Sequence, residues 1–189
     1  PWSGKDNALS FIYMNVTTKL EQPYIAGLYH GEGVNFPMWT IISELFCYIF
    51  TLIVGVLGLG RKFRWIYPLL AAVVLGYVSY KAGSDIRAFV DTRLIHFGTY
   101  LVGASLYYFH EEFRIDHLKA GIALVVLWFS SQNPALYALF PVAFSVLVLW
   151  LAFHLPIKNI EKHGDISYGV YLYGWPCQLL VTELGGAKY

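Results

Sequence analysis

Residues 120–157 read AGIALVVLWFSSQNPALYALFPVAFSVLVLWLAFHLPI and contain no Asp, Glu, Lys or Arg. A helix crosses a bilayer core with about 20 apolar residues. The stretch is therefore long enough for two passes, and Ser130-Ser131-Gln132-Asn133-Pro134 supplies the turn. The run is continuous rather than alternating every second residue, which favours helices over barrel strands. Two spans follow, at 118–129 and 135–155.

Four more apolar runs flank this stretch. The first lies at 38–59, where Glu44 is the single charge. The second is 65–80, closed by Arg64 and Lys81, and the third is 94–109, after Arg93. The last is 166–184. The expected fold is all-α, a polytopic transmembrane helical bundle with about six spans. Residues 38–189 would form that bundle, as part of a larger membrane domain. Residues 1–37 would form an outer loop and the tail of a preceding helix.

Composition agrees. Hydrophobic residues make up 57% of the chain and charged residues 13%, against about 25% charged in soluble domains. So few charges do not coat a water-facing surface. The apolar content excludes disorder. A net charge of +1 argues against nucleic-acid binding, which needs a basic face. Cys47 and Cys177 both lie in apolar segments and make no disulfide framework. The chain opens at Pro1 without a basic-then-apolar leader, and it stops soon after an apolar run. The expectation is a piece of a longer protein.

Alternating spans place loops 60–64, 110–117 and 156–165 on one side. With Lys119 they carry Arg61, Lys62, Arg64, Arg114, Lys158 and Lys162, whereas the opposite loops carry Lys81, Arg87 and Arg93. The excess of cations marks the first side as cytoplasmic. Asn15-Val16-Thr17 fits the N-glycosylation pattern. The Gly55-x-x-Gly58-x-Gly60 cluster follows no strand, so it reads as helix packing rather than a dinucleotide loop.

Polar groups in hydrocarbon should face other helices or a cavity. On the first span Thr40, Glu44, Cys47, Tyr48, Thr51, Gly55 and Gly58 share one face. Glu44 is either a functional carboxylate there or a hydrated residue helping the helix start. The third span carries His96, Thr99, Tyr100, Gly103, Tyr107 and His110 at helical spacing. His96 is a candidate proton shuttle or an interface residue bonded to a carbonyl or water. The sixth span aligns Ser167, Tyr171, Gly174, Gln178 and Thr182, with Pro176 in its middle. Pro removes one ladder hydrogen bond, so this helix either lines a pocket or only packs.

The cluster His110-Glu111-Glu112 … Asp116-His117 lacks the H-E-x-x-H spacing of a zinc helix and reads as a solvated loop. No metal site is expected. His154 and His163 read as solvated too. Arg61, Lys62 and Arg64 are candidates to hold the phosphates of a nucleotide-like donor, or they serve topology and lipid headgroups. No serine nucleophile elbow or Walker loop is present.

Two segments carry a resemblance. Val34-Asn35-Phe36-Pro37-Met38-Trp39-Thr40-Ile41-Ile42-Ser43-Glu44-Leu45-Phe46-Cys47-Tyr48 resembles the N-G-S-L-W-T-[LI]-x-x-E-x-x-x-Y segment of the membrane acyltransferase 3 family. Asp165-Ile166-Ser167-Tyr168-Gly169-Val170-Tyr171-Leu172-Tyr173-Gly174-Trp175-Pro176-Cys177-Gln178 resembles that family's [DI]-S-Y-G-x-Y-L-[YW]-x-[WF]-P-x-Q helix. Residues 24–29 and 97–107 are similar to two further family segments. The likeness covers about residues 24–180. It implies a multi-pass protein of the bacterial inner membrane that moves an acyl group, commonly acetyl, from acyl-CoA to a hydroxyl, often of a carbohydrate.

On the matching positions the resemblance implies a functional carboxylate at Glu44. It implies acceptor contacts at Asn35, Trp39, Thr40, Tyr48, Ser167, Tyr171 and Gln178. Acyl-CoA is the expected donor substrate, with no bound cofactor. The family's catalytic His lies on helices N-terminal to the matched region, so the base is expected outside this chain, which alone would be inactive. Phe36-Pro37 replaces the family's Gly-Ser, and Gly174 stands where many members have His. A glycan or lipid transporter subunit, or a non-catalytic scaffold, is the alternative reading, since kinked helices with interior polar groups suit these as well.

Overall fold

The computed structural model describes residues 9, 12, 13, 40–90, 92–155 and 167–185. The described residues are helical with connecting turns and contain no strand. The helices are α1 (Ile41–Val56), α2 (Leu59–Lys62), α3 (Ile66–Ala82), α4 (Ile86–Val90), α5 (Arg93–Tyr108), α6 (His117–Gln132), α7 (Phe140–His154) and α8 (Ser167–Gly185). Residues 43–156 form one compact unit. Residues 1–42 and 157–189 belong to a second.

Helix ends follow local chemistry. Gly58 adopts φ +64° just beyond α1, a left-handed position that suits glycine. That stop ends α1 at Val56, short of the expected residue 59. Gly83 (φ +57°) closes α3, its N–H bonded to the Ser79 carbonyl at 3.2 Å. Asp116 caps α6 by accepting from the Lys119 backbone N–H at 2.8 Å. The expected turn at 130–134 is tighter than its composition implies. Ser130 and Ser131 stay helical, their hydroxyls bonded back to the Leu127 and Trp128 carbonyls. Only Asn133 breaks the chain direction, and it caps a 3-10 segment, Pro134–Leu139, that leads into α7.

In the 43–156 unit α3 and α5 pack closely. Tyr67, Ala71, Leu75 and Val78 form a buried stripe on α3 against Leu101 and Val102 of α5. Gly98 permits the approach, since a Cβ there would sit 2.5 Å from Leu75 Cδ2. Phe89 of α4 packs on Tyr137, whose hydroxyl reaches the Ser84 carbonyl at 3.3 Å. Ala123, Ala143 and Val146 join α6 to α7. Phe50 anchors α1 edge-on against Tyr67, Phe97 and Tyr100.

The outward faces are also apolar. Leu69 and Val73 on α3, and Leu118, Ile122, Leu124 and Trp128 on α6, are each more than half exposed. Helices therefore lie at all six expected positions. Among the described residues, only Pro134–His154, at 21 residues, is both long and apolar enough to cross a membrane. Ile41–Val56 and Ile66–Ala82 are apolar but shorter.

The α3–α5 contact generates a prediction. Gly98→Val is expected to lower unfolding stability by about 1–3 kcal/mol through overpacking. Gly103→Ala, where a Cβ meets nothing within 4 Å, is expected to be neutral or to gain up to about 1 kcal/mol. Unfolding midpoints in detergent micelles check both.

Candidate functional site

The polar face of α1 is built from successive turns: Thr40 at its entry, then Glu44, Cys47 and Thr51. Cys47 is buried and Glu44 half-buried, while Tyr48 is 66% exposed. Thr51 Oγ1 donates to the Cys47 carbonyl at 2.7 Å. With its proton committed there, it accepts from the Tyr100 hydroxyl at 2.5 Å. This hydroxyl pair joins the polar faces of α1 and α5. His96, half-buried, lies one turn before Tyr100 on α5.

Other polar residues of the expected seams serve their own helices. The Thr99 hydroxyl donates to the Ile95 carbonyl at 2.8 Å, and that of Thr182 to Leu179 at 2.8 Å. Such back-bonding satisfies the hydroxyl locally and leaves it little for a ligand. Ser43 is different. It is 7% exposed, and its hydroxyl finds no hydrogen-bond partner among the described residues. Sequence reasoning did not single it out, although its place three residues after Thr40 and four before Cys47 puts it on the same face.

Within the second unit the hydroxyls of Thr40 and Tyr171 are hydrogen-bonded to each other. The expected acceptor contacts Thr40 and Tyr171 thus meet. Gln178 is exposed on α8, two turns beyond Tyr171, and α8 continues through Pro176. Asn35 and Trp39 lie outside the described residues, as do the side chains of Arg61 and Ser167. The sequence readings at Asn15, residues 24–29 and His163 fall outside them too.

Loops 60–64 and 110–117 come together, as their expected shared side requires. Arg64 Nη1 binds Glu112 Oε1 at 2.6 Å, and its guanidinium covers the Phe109 ring at 4.6 Å. Lys62 lies over Phe63 at 5.6 Å and Lys119 over Phe113 at 5.3 Å. Lys119 also binds Asp116 at 2.9 Å. The hydrogen bond from Arg64 holds the Glu112 carboxyl below its usual range. Asp116 is lowered by the Lys119 backbone N–H and then by its ammonium.

Among the described residues no three His, Cys, Asp or Glu side chains gather as metal ligands would. A cleft of about 530 Å³ lies along α6 and the start of α7, lined by Leu124, Leu127, Trp128, Phe129 and Phe140. It holds none of the expected site residues.

Comparison with known proteins adds the chemistry. Over 163 residues the chain is 26% identical to an O-acetyl transferase of Shigella phage Sf6. The match covers 80% of this chain and 47% of that protein. The chain spans about half the length of the curated relative it matches. No protein-family model matches the chain, and no solved structure matches it. The similarity suggests acetyl transfer and goes no further.

Two predictions follow from these contacts. In a double-mutant cycle, Thr51→Val and Tyr100→Phe are expected to couple by about 1 kcal/mol in unfolding experiments. The second concerns pH. Glu112 has a depressed native pKa, so folding favours its charged form. Its contribution is full above the ordinary carboxylate range, about pH 4–5, and is lost as pH falls through the native value. Glu112→Gln is therefore expected to flatten part of the acid limb of the unfolding midpoint measured against pH.

Proposed function

We propose that this chain is part of a multi-pass inner-membrane O-acetyl transferase that moves an acetyl group from acetyl-CoA to a carbohydrate hydroxyl. The observation that carries the reading is the similarity to a phage O-acetyl transferase over 80% of the chain. The motif resemblance around Trp39–Glu44 and Ser167–Gln178 supports it. Helices that are apolar outside as well as inside suit a lipid surround.

In this reading the acceptor O–H gives its proton to a base as its oxygen attacks the thioester carbonyl. The C–S bond then breaks and CoA leaves as the thiol. Glu44 orients the reacting hydroxyl or the base, and His96 is the second candidate for proton handling. Asn35, Trp39, Thr40, Tyr48, Ser167, Tyr171 and Gln178 contact the acceptor, Trp39 by stacking on a sugar ring. Arg61, Lys62 and Arg64 hold the phosphates of acetyl-CoA from the cytoplasmic side. Because Glu112 already neutralises Arg64, Lys62 would make the stronger contact.

The test uses the full-length protein. Glu44→Gln is expected to reduce acetyl transfer by about a hundredfold while the amount of protein in the membrane stays constant. Transfer at the wild-type rate would remove Glu44 from the site.

A further inference from the structure

His117 is the first residue of α6 and His154 the last of α7, and the two helices run antiparallel, so their ends meet. Trp150, one turn before His154, completes a three-ring cluster. The centroids of His117 and His154 are 4.9 Å apart, those of His117 and Trp150 5.6 Å, and those of Trp150 and His154 5.2 Å.

Hydrogen bonds fix what each ring must carry. An indole N–H only donates, and Trp150 Nε1 lies 3.1 Å from His117 Nδ1. His117 Nδ1 therefore presents a lone pair, and the ring's proton sits on Nε2. A backbone carbonyl only accepts, and the Trp150 carbonyl lies 2.9 Å from His154 Nδ1. That nitrogen must carry hydrogen.

The two histidines consequently respond to a proton in opposite ways. His154 keeps its bond when charged, because Nδ1 is already the donor. His117 cannot: a proton on Nδ1 turns the acceptor into a donor facing another donor. The same tautomer denies His117 Nε2 a lone pair for a metal ion, so the pair does not read as a metal site. Both imidazoles are exposed, so solvent protons reach them.

Among the described residues, several other charges at this end have partners of their own. Asp116 and Lys119 pair with each other, and Lys119 Nζ also donates to the Arg114 carbonyl. Glu112 pairs with Arg64. His110 Nδ1 bonds the Tyr107 carbonyl of α5 at 2.7 Å, and Tyr108 of α5 stacks on Tyr67. Glu111 and Arg114 are exposed in the loop. On α7 His154 is the only titratable side chain.

We propose that His117, Trp150 and His154 form a proton-operated latch between the start of α6 and the end of α7, closed while His117 Nδ1 is unprotonated. Protonation costs the indole bond and brings a cation beside the second imidazole. The helix pair then loosens at the end that carries Arg114 and Lys119.

Hydrogen exchange on the full-length protein tests this, with rates normalised for the intrinsic pH effect. Amides of residues 117–121 and 150–155 are expected to exchange about fivefold faster near pH 5 than near pH 8, the loss of one hydrogen bond. In His117→Asn the amide oxygen takes the place of Nδ1 and does not titrate, so the rates should match at both pH values. Trp150→Phe should exchange fast at both. Equal rates for the wild type at the two pH values, or a wild-type pH response in His117→Asn, would overturn the latch.

Discussion

A chain with so few charges has to satisfy its polar groups from within. In an apolar surround an unpaired hydroxyl or amide costs free energy that no water recovers. The helices answer this first with their own backbone ladders. Next, hydroxyls fold back on the preceding turn, as Thr99, Ser105 and Ser145 do onto Ile95, Leu101 and Pro141. What remains among the described residues is a short set of polar contacts between residues far apart in sequence. Thr51 with Tyr100 is one, and Thr40 with Tyr171 is another. Arg64 with Glu112, and the ring cluster of His117, Trp150 and His154, lie at helix ends where water is available.

This constraint also explains why packing varies along the chain. Where α3 meets α5, Gly98 lets Leu75 fill the contact, and the Tyr67 and Tyr108 rings stack beside it. Where α6 meets α7, Ala123 and Ala143 fill the apolar contact and the Trp150–His117 bond closes one end. α1 is held differently, by the Phe50 ring and one hydroxyl pair. The helix with the richest polar face is thus fixed by side chains reaching across rather than by close backbone contact. Glu44 and the buried hydroxyl of Ser43 belong to that helix.

Much of the helix layout was legible from apolar run length alone. The starts at Ile66, Arg93 and Ser167 fall within a residue of those read from the chain. The meeting of loops 60–64 and 110–117 followed from alternation. Local chemistry was harder to read. Ser130–Gln132 looked like loop because serine is common in turns and Asn133-Pro134 follows, yet the Ser130 and Ser131 hydroxyls bond back to the preceding turn and the helix runs on to Gln132. The 3-10 start of the α7 segment depends on the Asn133 cap and the reach of Tyr137 to Ser84, a contact between residues far apart in sequence. His117 and His154 each looked solvated when read singly, and only the antiparallel pairing of their helices brings them together. For the candidate site, the polar faces of α1 and α5 were visible as periodicity. Periodicity alone did not reveal that Thr99 and Thr182 are satisfied within their own helices.

The functional account joins that polar face to the similarity with an O-acetyl transferase. Its central claim is that an acetyl group leaves CoA and becomes an ester on a carbohydrate. The most direct measurement incubates membranes containing the full-length protein with CoA carrying an isotope-labelled acetyl group, then analyses the glycan fraction. The account predicts label on carbohydrate that mild alkali releases as acetate, as an O-ester requires. Label that stays on CoA while glycan or lipid crosses the membrane would contradict it, and would make the protein a transporter.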